Sequence, residues 1–121
     1  MLGIPFPSAR LLLLASVLAS GCAIDPDPRE AIVAADQAIV RALSADATAF
    51  ASADLDLARE KIALARRWAQ AHDHRPARWL AEQAKVDAEL AEMRAASARA
   101  REAAARETAE FRRINAAMKK D

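Results

Sequence analysis

From residue 27 onward the apolar positions recur every three to four residues with little interruption. The first run carries Ile32, Ala35, Ile39 and Leu43, a spacing that puts side chains on one face of an α-helix. Its start is marked in three ways. Asp27 suits a cap, Pro28 the first helical position, and Glu30 the place three residues on that a capping box uses. The pattern falters over residues 44–48, Ser-Ala-Asp-Ala-Thr, where polar side chains compete for the helical backbone's hydrogen bonds. A second start stands at Ser52, with Asp54 and Asp56 placed well for the positive end of a helix. Leu55, Ala58, Ile62, Ala65 and Ala69 then line one stripe, and Leu57, Leu64, Trp68 and Ala71 line the one beside it. Residues 72–76, His-Asp-His-Arg-Pro, close this run. Pro76 is tolerated only in the first turn of a helix, so Asp73 is read as the cap of the next one.

Nothing interrupts helical periodicity from residue 75 to residue 118. Ala77, Leu80, Ala84, Ala88, Ala91, Ala95 and Ala98 form a stripe of small residues, with Trp79, Val86, Leu90 and Met93 beside it. Phe111, Ile114 and Met118 resume a larger apolar edge near the end. Glu82/Lys85, Glu102/Arg106 and Glu110/Arg113 are opposite charges at helical spacing. Residues 27–71 and 73–118 make arms of 45 and 46 residues. The simplest architecture is a long antiparallel helical hairpin, coiled-coil-like, with its first arm broken near residues 46–51. Folding at residues 73–74 sets Trp68 opposite Trp79 and Leu57 opposite Leu90. The break leaves an alternative open, in which the first helix folds back to make a three-helix bundle. Alanine stripes let helices approach closely but bury little area each. A thin hairpin of this size is therefore expected to be marginally stable alone, and to gain from self-association or a partner.

Composition narrows the fold class further. Both glycines, Gly3 and Gly21, precede Cys22, and Asn115 is the one asparagine. Strand-rich folds need tight turns that favour Gly or Asn, so their lack supports an all-α chain. Glycine-rich phosphate loops are excluded on the same ground. Eighteen basic residues against 17 acidic ones leave no electrostatic footprint for nucleic acid.

The first 21 residues read as a signal peptide. Arg10 closes a short basic region, residues 11–19 are apolar, and small residues follow. That run is too short to span a bilayer, which takes about 20 residues. Leu18-Ala19-Ser20-Gly21-Cys22 resembles a bacterial lipobox. The resemblance implies cleavage between Gly21 and Cys22 and transfer of a diacylglyceryl group to the Cys22 thiol. It also removes the oddity of a secreted chain with one cysteine. Residues 22–26 become a lipidated tether and residues 27–118 the helical domain. Several acyl chains on Cys22 would hold the protein to a membrane. Ala23 stands where an Asp would resemble an inner-membrane retention signal, so the expected place is the periplasmic face of the outer membrane.

Candidate chemistry is sparse. His72, Asp73 and His74 lack a further His or Cys to complete a metal site, and no metal or cofactor is expected. The one thiol is assigned to lipid and no nucleophile–base pair stands out, so the chain is not expected to be an enzyme. Trp68 and Trp79 have two readings: a small core cluster closing the hairpin, or a partner contact at its tip. Arg66, Arg67, Arg75 and Arg78 surround the same tip, either as a solvated face or as a contact for an anionic polymer such as peptidoglycan.

Residues 53–65, with Ala77 and residues 79–91, make the chain resemble a family of bacterial lipoproteins known as domain of unknown function 4398. The resemblance covers about residues 29–105. It implies a helical hairpin and an envelope location, and it supplies no catalytic residue. His72-Asp73-His74 stands where members usually carry a Gly-Asp-Tyr-like turn. The function expected is that of a structural or adaptor lipoprotein, docking an envelope protein, a second copy or peptidoglycan. The alternative is a chaperone-like module that takes apolar ligands or unfolded chains in an alanine-lined groove.

Overall fold

A computed structural model describes residues 26–120. Four helices and no strand occur among them: α1 Arg29–Ser44, α2 Ala47–Phe50, α3 Ser52–Gln70 and α4 His74–Met118. The fold is all-α, as the periodicity requires. At the start of α1, Asp27 Oδ1 accepts the Arg29 N–H at 2.9 Å, and Pro28 already has helical angles. Asp27 thus caps, while Glu30 makes no capping-box bond among the described residues. α3 begins at Ser52 and α4 runs for 45 residues. Pro76 sits in the first turn of α4, where no hydrogen bond is lost.

The two reversals are made without glycine. Asp46 takes the left-handed conformation at φ 64° and donates its N–H to Leu43 O at 3.0 Å. Ser44 Oγ donates back to Val40 O at 3.0 Å, which drains the last turn of α1 of helix-extending bonds. His72 is left-handed at φ 59°. Its N–H bonds Ala69 O at 3.1 Å, and the Asp73 N–H bonds Trp68 O at 3.0 Å, the paired closure of a Schellman motif. Asp and His are among the side chains that tolerate this region best after Gly and Asn.

The break after α1 resolves the architecture as the three-helix alternative, with α1 folded back. Ala35 shares a buried cluster with Ile62, Ala65, Ala81 and Ala84. Ala38 meets Ala58 and Ala88, and Ala42 meets Leu55, Ala91 and Ala95. Rising numbers along α1 therefore match falling numbers along α3 and rising numbers along α4. α1 is antiparallel to α3 and parallel to α4, and it fills the alanine-lined groove between the other two. The register of α3 on α4 is the one folding at residues 73–74 dictates. Pro26 and Asp27 lie beside Arg78 and Glu82, so the chain enters the bundle next to the α3–α4 turn. In a simple hairpin it would enter at the opposite end.

Among the described residues, thirteen of the fifteen buried apolar ones are alanine, and Leu55 is the one large side chain fully enclosed. Helices faced by alanine pack toward the short end of the usual 8–10 Å separation. Beyond Ala98 no described residue of α4 is buried, and Asp46 and Phe50 lie beside its first turns only. Every residue from 99 to 118 except Asn115 is exposed, which gives a free arm about 30 Å long at 1.5 Å per residue.

Two consequences are measurable by thermal or denaturant unfolding. Ala88→Leu places a large side chain where three helices meet and is expected to cost about 1–3 kcal/mol, whereas Val40→Ala on the exposed face of α1 stays within about 0.5 kcal/mol. His72→Gly relieves the left-handed penalty and is expected to raise stability by about 0.5–1 kcal/mol. A loss would show that His72 holds its place through its side chain.

Candidate functional site

With alanine inside, the bulky apolar residues are left outside. Leu57 and Trp68 on α3 are exposed by 42% and 43%. Trp79, Val86 and Met93 on α4 are exposed by 58%, 61% and 63%. Leu64 and Leu90 are half-buried between these rows. Seven-residue spacing puts Trp79, Val86 and Met93 on one side of α4. The second stripe of α3, Leu57, Leu64, Trp68 and Ala71, is thus mainly a surface. One helix can turn only about a third of its circumference toward two close neighbours, and Leu55, Ala58, Ile62 and Ala65 already occupy that third.

Ion pairs fix the frame of this face. Lys61 Nζ lies 2.6 Å from Asp87 Oδ2 across the α3–α4 groove, with side-chain exposures of 23% and 17%. The contact is ionic, since Asp87 Oδ2 is buried and finds no donor in hydrogen-bond geometry. Two turns of α3 away, Arg94 Nη1 donates to both oxygens of Asp54, at 2.7 and 2.6 Å. A shallow hollow of about 240 Å³ beside the Lys61–Asp87 pair is lined also by Trp79, Glu82, Gln83 and Val86. The other seams are clamped likewise. Arg66 Nη2 holds Asp36 on α1 at 2.5 and 2.7 Å, Arg41 reaches Glu92 at 3.3 Å, and Arg99 reaches Asp46 at 3.3 Å.

The residues singled out from the sequence take these places. Trp68 ends α3 and Trp79 begins α4, so both stand near the turn, but their rings make no contact; His72 and His74, 6.5 Å apart, form the ring pair among the described residues. The tryptophans are therefore surface residues and not the core of the tip. Of the tip arginines, Arg66 is held by Asp36 and Arg78 by Glu82 at 2.7 Å. Among the described residues no group of three or more His, Cys, Asp or Glu is arranged to hold a metal ion, and no helix is long and apolar enough to cross a membrane. Gly21 and Cys22, the cleavage and lipidation residues, lie outside the described residues.

What the sequence reading missed is how much of the surface is apolar. The signal was present in the seven-residue recurrence of Trp79, Val86 and Met93, which a second, unburied seam explains better than a widened core. The Lys61–Asp87 pair is expected to couple by about 1–2 kcal/mol in a double-mutant cycle with alanine, against under about 0.5 kcal/mol for the exposed Arg78–Glu82 pair. Equal couplings would show that the α3–α4 groove is wet at its centre.

A family model described as Domain of unknown function (DUF4398) matches residues 30–107. The match takes in the whole bundle and the first part of the free arm, and the chain belongs to that family. No curated protein and no solved structure matches the chain.

Proposed function

We propose that this member of the DUF4398 family is a lipid-anchored protein of the bacterial envelope that works by contact and not by catalysis. Its bundle holds an apolar outer face for another envelope protein. The observation that carries this reading is the inversion of side-chain size. Alanine makes the core, while twelve large apolar residues stand exposed. Evenly scattered, such residues would need no explanation. Here Trp79 and Val86 line one hollow with the half-buried Lys61–Asp87 pair, and Leu57 and Trp68 are exposed on the helix that carries Lys61. Large apolar side chains around a half-buried, ion-paired centre have the make-up of a contact surface.

The anchor in this reading is the Cys22 thiol, set in a lipobox-like stretch. The tether enters beside the α3–α4 turn, so Trp68 and Trp79 belong to the anchored end of the bundle and the free arm points away from it. The alanine-lined groove that a chaperone-like module would offer is filled by α1, which favours the docking reading.

A photo-cross-linking amino acid in place of Trp68, introduced in cells, tests the proposal. One defined envelope protein is expected to be captured from the anchored form and lost with Cys22→Ser. Capture no different from that of a probe at Glu60, on the exposed side of α3, would sink it.

A further inference from the structure

The outer row of α4 does not stop at the bundle. Trp79, Val86 and Met93 continue through Ala100 and Glu107 to Ile114 at seven-residue steps. A second row interleaves at alternating steps of three and four: Leu90, Ser97, Ala104, Phe111 and Met118. This is the 3.5-residue repeat of a coiled-coil seam, sustained over more than five heptads. It is separate from the buried alanine stripe. Its far end is bare: Phe111, Ile114 and Met118 are exposed by 66%, 48% and 64%.

The geometry points to a parallel, in-register dimer in which this seam of α4 packs on the same seam of a second copy. The inference rests on the reading of the outer face as a contact surface. It assigns the α4 half of that face to a second copy and leaves Leu57 and Trp68 on α3 to the envelope partner.

Four observations select this occupant and orientation. First, α1 and α3 do not obstruct it. Their ion pairs reach α4 at Glu89 and Glu92 on one flank and at Asp87 and Arg94 on the other, which leaves the row of Trp79, Val86 and Met93 between them open. Second, the area suffices. From Trp79 to Met118 the seam runs about 58 Å at 1.5 Å per residue, and at about 10 Å wide it covers roughly 600 Å² on each copy. The total of about 1,200 Å² is where specific interfaces begin. Third, the flanks permit it. Glu89 precedes Arg94 by the five residues that bring g and e′ positions together in a parallel pair, so these opposite charges, held within each chain by Arg41 and Asp54, lie side by side across the seam. Glu82 meets Asp87 at the like-charged step, but Arg78 neutralises the first and Lys61 the second within the chain. Fourth, the tether emerges beside the α3–α4 turn. Two parallel copies therefore carry their tethers at the same end, where one surface can hold both.

The dimer also supplies what the free arm lacks. Isolated helices of this length are marginal in water, and intrahelical pairs such as Glu102–Arg106 and Glu110–Arg113 add only a few tenths of a kcal/mol each. Glu107 is the one acidic residue in the seam, and a parallel pair sets it against its own copy. It lowers the affinity of the pair, because two carboxylates then face one another across the seam.

The test uses the full chain carrying Cys22→Ser, so that introduced thiols stand alone. Val86→Cys and Ile114→Cys, about 42 Å apart along α4, are each expected to form disulfide-linked dimers with their own kind. Mixed together, they are expected not to link to each other. A Glu60→Cys variant, remote from the seam, should stay monomeric and so excludes random aggregation. In sedimentation, Glu107→Leu is expected to tighten the dimer at least about tenfold and Ile114→Asp to loosen it by as much. Neither should change the hydrogen-exchange protection of the bundle's own amides, because neither residue touches the core. Links between residues 86 and 111 in mixed Val86→Cys and Phe111→Cys samples would overturn the orientation. A monomer throughout would overturn the dimer. Capture of an envelope protein at Trp68 is read separately, so failure of either idea leaves the other standing.

Discussion

The structure depends on helices touching through alanine. A methyl side chain lets two helical backbones come as close as α-helices pack, and it costs almost no side-chain entropy to bury. It also removes little apolar area from water. Contacts of this kind say where helices meet but say little about which turn meets which, since one alanine resembles the next. Register must come from elsewhere. Here it comes from Leu55 and Ile62, the two large side chains in the core, and from ion pairs at every seam: Asp36–Arg66, Arg41–Glu92, Asp54–Arg94 and Lys61–Asp87. Exposed ion pairs contribute modestly to stability, yet a shifted register would leave all of them unmet at once.

The same constraint accounts for the surface. A core built from the smallest apolar side chain has no room for Trp68, Trp79, Val86 or Met93, and these residues lie outside it. In most small domains the bulky residues supply the stability and the surface is polar. This chain divides its apolar residues differently: small ones close the bundle, and large ones lie on its surface.

Much of the fold was legible in the residues themselves. The stripe Leu55, Ala58, Ile62, Ala65 is buried as its spacing requires, α3 starts at Ser52, and α4 runs unbroken to Met118. The pairing of α3 with α4 follows from the turn at residues 72–73. The fold-back of α1 was one of two readings, because it hangs on the angles of a single residue. Asp46 can continue a helix or adopt φ 64°, and only the packing of Ala35, Ala38 and Ala42 against both other helices decides between them. The tryptophans misled for a related reason. Periodicity assigns a side chain to a face but does not say how wide a face two neighbours can cover. Lipidation at Cys22 is a matter of processing, which a helix packing diagram does not address.

The length of α4 relative to the bundle has a mechanical meaning. The chain enters beside the α3–α4 turn, so an object held by residue 26 is held at one end of a rod. That rod is about 67 Å long at 1.5 Å per residue. The bundle stiffens its first half, and the second half is a bare lever. The far end therefore sits at a set distance and in a set direction from the point of attachment, and one residue more or less swings it by about a quarter turn. A gauge of this kind converts chain length directly into the width of the gap it can bridge.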